Sequence, residues 1–203
     1  MKDFDIRVVL SKFLHDKFVL HDPTCILLDE FGLCQGAARI DMAVINGQIH
    51  GFEIKSEQDT LYRLEQQLEV YSKTLDRLTL VTNKKHLAEL RNVLPSWCGI
   101  MVVDAAGNIH EKRTAKKNRN IDPDSLVQLL WRDEAIDILR QLGQHKRLSQ
   151  PNRVLWERIA SSITIEDLNA RVRETLKTRG ARVAWRVAPP QELRGGSLLQ
   201  SAT

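Results

Sequence analysis

Two alternating segments, "ARIDMAVI" (38–45) and "QIHGFEIK" (48–55), flank the dipeptide Asn46-Gly47. No other feature restricts the fold of this chain so tightly. Asn-Gly between alternating apolar runs is the strongest short-range signal of a β-hairpin, because both turn positions call for positive φ. Strand side chains alternate with period two, so the turn decides which residues share a face. Glu53 and Lys55 point to the same side of their strand, and counting outward from the turn brings Asp41 near Glu53. Two carboxylates and one ammonium therefore fall into strands otherwise made of Ile, Ala, Val and Phe.

The surroundings of the hairpin set the fold class. Ile6, Val9, Leu10, Phe13 and Leu14 are spaced for an amphipathic helix over 3–20, which "HDP" at 21–23 ends. "CILLDEF" (25–31) reads as a first strand and "GLCQGA" as a connection. After the hairpin, Ser56 and Asp59 resemble a capping box, and Leu61, Leu64, Leu68, Tyr71 and Leu75 form one helical stripe. "RLTLVT" (77–82) is a strand, "KKHLAELRNVL" a helix, and "GIMVVDA" (99–105) and "IHEKR" (109–113) further strands. This order predicts an α/β sandwich around a mixed central sheet, flanked by helices.

Past Ile121 the strand signals stop. Asp122 caps "PDSLVQLLW" with Pro123 in the first turn, "RDEAIDILRQLG" ends on Gly143, and "QPNRVLWERIASSI" is a third helix. A fourth starts at Thr164, with Asp167 completing a capping box, Ile163 stapled to Leu168, and Leu168, Val172 and Leu176 on one face. The expected organisation is a core over 1–120, a helical appendage over 121–180 and a disordered tail over 181–203.

Paired carboxylates a few ångströms apart repel, and one protonates unless a cation sits between them. Hard oxygen donors suit Mg²⁺ or Mn²⁺, which acidify bound water and hold a phosphate oxygen. Asp41, Glu53 and Lys55 are thus candidates for metal-assisted phosphodiester hydrolysis, Lys55 orienting or deprotonating the water. The same three residues also fit a plain salt bridge from Lys55 to Glu53 or Asp41, and spacing alone leaves both readings open.

An Asp in one strand, a hairpin, then Glu-x-Lys in the next, between two helices, resembles the PD-(D/E)xK nuclease superfamily. "QLEVY" (Gln67 to Tyr71) resembles the Q-x-x-x-Y pattern of its RecB-type exonuclease branch, and "HGFEIKSEQDTLYRLEQQLEVYSK" is similar to a group of small bacterial and phage members. The resemblance covers residues 1–112 in fold order and is specific over 38–75. It implies a restriction-endonuclease-like αβββαβ core and a Mg²⁺- or Mn²⁺-dependent deoxyribonuclease. Catalysis would fall to Asp41, Glu53 and Lys55 with Gln67 and Tyr71. The metal ligands would be Asp41, Glu53, the Ile54 carbonyl and Glu30, an upstream acid with Asp29 beside it. The superfamily also has members that only bind, so a non-catalytic nucleic-acid-binding or adaptor protein, or a nuclease acting on RNA, stands as the alternative.

Arg63, Gln67 and Tyr71 succeed one another at i, i+4, i+8, so Arg63 is a candidate phosphate donor on the same helical face. The net charge is +4, and "KRTAKKNR" places Lys112, Arg113, Lys116, Lys117 and Arg119 within eight residues without an acid. Such a patch suits a polyanion, here the nucleic-acid backbone. No P-loop or Gly-rich nucleotide fingerprint is present, so no nucleotide cofactor is expected. No run nears the ~18 apolar residues of a membrane span. The N-terminus lacks a signal-peptide pattern, and Cys25, Cys34 and Cys98 have no metal-ligand spacing, so a cytoplasmic protein with free thiols is expected. His50 approaches the site only if its strand bulges at Gly51. Trp131 and Trp156 read as helix-packing residues, and Trp185 lies beyond them.

Overall fold

The computed structural model describes residues 3–184, with side chains through Gly180. It is a mixed α/β fold: a six-stranded sheet in sequential order, flanked by helices, with a helical C-terminal region. The elements are α1 (Asp3–Leu14), β1 (Ile26–Leu33), β2 (Ala38–Ile45), β3 (Ile49–Lys55), α2 (Leu64–Thr74), β4 (Arg77–Thr82), α3 (Leu87–Val93), β5 (Gly99–Val103), β6 (Ile109–Arg113), α4 (Pro123–Leu126), α5 (Arg132–Gln141), α6 (Asn152–Ala160) and α7 (Ile165–Ala184). Strand β3 pairs antiparallel with β2 but parallel with β4, and β4 is parallel to β5. Every residue of β3 is buried, because it lies mid-sheet with helices over both faces.

Two apolar layers enclose the sheet. Ile6, Leu10 and Leu14 of α1 pack on Met42, Val44, Phe52, Ile54, Val81 and Met101. On the opposite face Leu64, Tyr71 and Leu75 join Ala43, Ile45, Leu78, Leu80 and Ile100. The helices past residue 121 belong to that same second layer: Leu126, Ile138, Leu155, Leu168, Val172 and Leu176 are all in it. The C-terminal region is thus packed onto the sheet's core.

Four local expectations are corrected. The hairpin turn has three residues, since Ile45 pairs with Ile49, and Asn46 N–H donates to Gln48 O at 3.2 Å; neither Asn46 nor Gly47 has positive φ. Ser56 does not open a helix: its N–H donates to Asp59 Oδ2 at 2.7 Å within a turn, and α2 begins only at Leu64. The helix capped by Asp122 is a single α-turn followed by a 3₁₀ turn over Val127–Leu129. Trp131 does not pack between helices; it is 60% exposed under the Arg179 guanidinium, whereas Trp156 is buried. Gly143 does cap α5, with φ 76° and Gln144 N–H donating to Leu139 O at 2.9 Å. Helix α7 runs on to Ala184; the expected tail beyond it, with Trp185, lies outside the described residues. Among the described residues no helix is long and apolar enough to cross a membrane.

The alternation of β1 and β2 breaks at one point. Leu28 and Phe31 both face the α2 side, and so do Ile40 and Ala43, although each pair is an odd number of residues apart. Asp29 pairs with Met42 and Phe31 with Ile40, while the positions between them, Glu30 and Asp41, drop out of the ladder. Glu30 sits there at φ 52°, a left-handed conformation that costs a side-chain-bearing residue on the order of 1 kcal/mol. Such irregularities re-aim side chains and gather at functional sites. This one turns Glu30 and Asp41 toward α1.

Candidate active site

Glu53 is the centre of the cluster, and it is only 3% exposed. Its Oε1 accepts from Lys55 Nζ at 2.8 Å and from Gln67 Nε2 at 2.9 Å. Its Oε2 accepts from the Tyr71 hydroxyl at 2.8 Å. Lys55 Nζ also donates to Gln67 Oε1 at 3.0 Å, which leaves one ammonium proton uncommitted. The Tyr71 hydroxyl lies 3.1 Å from the Arg39 carbonyl, tying the hairpin's first strand to α2. A buried charge needs its lone pairs satisfied, and these contacts do that for Glu53.

The approach of α2 depends on Gly51, two residues before Glu53 and on the same face. A Cβ there would lie 2.6 Å from Leu75 Cδ1 and 3.1 Å from Ile40 Cγ1. Glycine therefore lets the helix settle onto β3 far enough for Gln67 and Tyr71 to reach Glu53.

Asp41 is held differently. Its Oδ2 accepts from the Ile54 N–H at 2.7 Å, extending the hairpin where the backbone ladder stops at Met42 and Phe52. In an extended strand the N–H and C=O of one residue point the same way, so the Ile54 carbonyl faces the Asp41 side too. Burial, followed by the charge of Glu53, raises the Asp41 carboxyl to about 6. Burial, and then Glu53, also pushes the Tyr71 hydroxyl up, keeping it protonated as a donor.

Arg7 of α1 and Arg39 of β2 complete the cluster, and neither stands out in the sequence. Arg7 Nη2 lies 2.7 Å from Asp41 Oδ1 and 2.8 Å from Glu30 Oε1, and Nη1 donates to the Asp41 carbonyl at 3.1 Å. Arg39 Nε lies 2.6 Å from Glu30 Oε2. Arg39 is two residues before Asp41, a spacing that hints at a shared face; Arg7 is remote in sequence and carried no local signal.

Glu30 meets Asp41 on the same Arg7 nitrogen, Nη2. Both its oxygens are turned onto guanidinium groups, and among the described residues no group of three or more His, Cys, Asp and Glu is arranged to hold a metal ion. Asp41 and Glu53 with the Ile54 carbonyl make a smaller donor set than the three acids expected. That smaller set still fits Mg²⁺, which usually takes one or two carboxylates and completes its shell with water and substrate phosphate.

The other expected residues lie apart. Arg63 is exposed just before α2 and does not share the Glu53 cluster. Lys112, Lys116, Lys117 and Arg119 are exposed, and Arg113 donates to the Cys98 and Pro95 carbonyls. Lys117 and Arg119 flank Asp76, just before β4, while Lys55 ends β3 beside Thr82, the last residue of β4. The parallel strands thus separate this basic strap from the carboxylates. His50 does not bulge toward the site: it stacks on Phe52 at 4.2 Å and shares a 2.9 Å hydrogen bond with Thr79. Burial, then Arg77 and Lys17, lowers it to about 3.

Fold and site together define a mixed α/β protein with a Glu–Lys–Gln–Tyr cluster around a buried glutamate, beside a second carboxylate. The chain belongs to the Bacteriophage P4 protein cII family, whose profile matches residues 2–188. It is similar to Protein cII of Enterobacteria phage P4, 24% identical over 182 residues that cover 88% of this chain and 68% of that protein. Among solved structures it is similar to the SPO1766 protein of unknown function from Silicibacter pomeroyi. That match is at 21% identity and a TM-score of 0.40, over 65% of this chain and 86% of that one, too slight to bear on the site.

Proposed function

We propose that this chain is a metal-dependent nuclease of the PD-(D/E)xK type, hydrolysing DNA phosphodiester bonds at Asp41, Glu53 and Lys55. The observation that carries the reading is the fixing of Glu53 by Lys55, Gln67 and Tyr71 beside Asp41. A buried salt bridge also needs its lone pairs satisfied, so what favours the catalytic reading is the second carboxylate, Asp41, beside this pair.

A bound Mg²⁺ supplies an electrophile that acidifies water and holds a phosphate oxygen. The protein's own groups do the remaining work. Asp41, Glu53 and the Ile54 carbonyl would hold the ion. Gln67 and Tyr71 fix the rotamer of Glu53, as outer hydrogen bonds commonly do for carboxylate ligands. The uncommitted N–H of Lys55 orients the attacking water or meets charge growing on the phosphate. The water oxygen bonds to phosphorus as it gives up a proton to solvent, the P–O bond to the leaving sugar oxygen breaks, and that oxygen takes up a proton from solvent.

A second reading has an observation in its favour. Lys55 neutralises Glu53, and Arg7 neutralises Asp41, as in a binding module that reuses the fold without catalysis. Incubating purified protein with linear duplex, nicked duplex, single-stranded DNA and RNA under Mg²⁺ and Mn²⁺ separates the readings. The nuclease reading predicts divalent-dependent DNA products that Glu53→Gln and Lys55→Ala abolish while the circular dichroism spectrum is kept. Salt-sensitive binding without products supports the adaptor reading, and products from RNA alone redirect the activity to RNA.

A further inference from the structure

We infer that Arg7 and Arg39 form the phosphate-binding pair of this site, and that Glu30 is their positioning residue and does not ligate metal. The inference rests on the nuclease reading for its substrate but on separate geometry.

Glu30 is placed between the two guanidinium groups, Oε1 at 2.8 Å from Arg7 Nη2 and Oε2 at 2.6 Å from Arg39 Nε. One carboxylate thus holds both arginines, and it does so from a left-handed backbone position where glycine would be the cheaper residue. Among the described residues the Arg39 side chain makes one ion pair, through Nε to Glu30, and it is 70% exposed. The Arg39 carbonyl lies 3.1 Å from the Tyr71 hydroxyl that donates to Glu53. The donor fork of Arg39 is therefore tethered within one residue's reach of the catalytic carboxylate while its tips face solvent.

Arg7 extends the same surface. Its Nη1 and Nη2 are engaged with Asp41 and Glu30, and the residue lines an open groove of about 680 Å³ between α1 and β1 whose lining joins Ser11, Lys12 and His15 to Asp29 and Glu30. A strand whose reacting phosphate sits at Asp41 and Glu53 can run its next phosphates along this groove. Planar guanidinium forks match phosphate oxygens in pairs, which a point ammonium does not. The basic strap at Lys117 and Arg119 lies at the far end of the parallel strands, so among the described residues Arg7 and Arg39, beside Lys55, are the cations paired at the carboxylates.

The test separates metal from phosphate. Mn²⁺ binding is measured by calorimetry, and binding of a labelled duplex by anisotropy in Ca²⁺ over a salt series. Arg7→Gln and Arg39→Gln are each expected to weaken duplex binding about tenfold and to flatten the salt slope by about one, with Mn²⁺ affinity undiminished. Glu30→Gln is expected to change Mn²⁺ affinity less than about threefold, against a loss of at least about tenfold for Glu53→Gln. Duplex binding and salt slope unchanged in both arginine variants would overturn the phosphate pair. A Glu30→Gln loss of Mn²⁺ equal to that of Glu53→Gln would make Glu30 a ligand and overturn its positioning role. If instead Mn²⁺ binding is absent in wild-type protein, the metal reading fails, while the arginine result is still read from the duplex data in low salt without divalent ions.

Discussion

Tyr71 donates its phenolic proton to Oε2 of Glu53 across 2.8 Å, and both groups are buried. The contact joins α2 to the middle strand of the sheet and fixes the carboxylate at the centre of the proposed chemistry. Replacing Tyr71 by phenylalanine keeps the ring's packing and removes only the donor. Leaving a buried charged acceptor short of one partner costs about 1.5–3 kcal/mol. The expected outcome is that loss in urea unfolding, together with a 10- to 100-fold fall in kcat/KM for Mg²⁺-dependent cleavage. Gln67→Leu is expected to act in the same direction, since it frees both Glu53 and Lys55.

Asp41 gives the stability curve a predictable shape. Its folded carboxyl stands at about 6 against 3.8 for the free group, from burial and then Glu53. Between about pH 4 and 6 the folded state holds a proton that the unfolded chain has released, so stability falls as pH rises through that window. Above it the ionised side chain costs about 2 kcal/mol, taking account of its partial exposure. Asp41→Asn is therefore expected to be more stable than wild type at pH 8, with the gap closing toward pH 4, while cleavage is lost. Urea titrations at the two pH values check this.

Glu30 carries backbone strain in addition to its two arginines. Glu30→Ala and Glu30→Gly remove the same carboxylate but differ in their tolerance of φ 52°. The glycine variant is expected to be the more stable of the two by about 1 kcal/mol. Elsewhere in a strand the order would reverse, so paired thermal unfolding curves report directly on the kink.

Gly51 controls how close α2 comes. A methyl group at this position meets Leu75 Cδ1 and Ile40 Cγ1 well inside contact distance. Gly51→Ala is expected to cost about 1–3 kcal/mol by overpacking and to lower activity by drawing Gln67 and Tyr71 away from Glu53. Restoring space with Leu75→Ala in the same chain should recover part of the activity. No recovery would mean that Gly51 acts through something other than the height of the helix.

Much of the fold was legible because it is written locally. The alternation of 38–45 and 48–55, the stripe of α2 and the run "RLTLVT" each report a face or a buried strand without tertiary information. Helix ends were read less well. Ser56 and Asp59 do bond as a cap would, yet four further residues, 60–63, pass before Leu64 turns helical, and hydrogen bonding in a turn looks the same in sequence as hydrogen bonding in a cap. At the site, Glu53, Lys55, Gln67 and Tyr71 were visible through periods of two and four. The break at Glu30 and Asp41 was not, because period-two alternation carries no mark of a point where tertiary packing switches the face. Arg7 carries no local signal, because its role exists only once α1 meets β2 at Asp41, thirty-four residues on.

The central claim is that Asp41 and Glu53 share a divalent ion. Crystals of the protein grown with excess Mn²⁺ and measured at the manganese absorption edge test it most directly. The account predicts an anomalous peak within coordination distance of Asp41, Glu53 and the Ile54 carbonyl, with Glu30 still on Arg7 and Arg39. Data showing no peak there, with Lys55 still paired to Glu53 and Arg7 to Asp41, would contradict it.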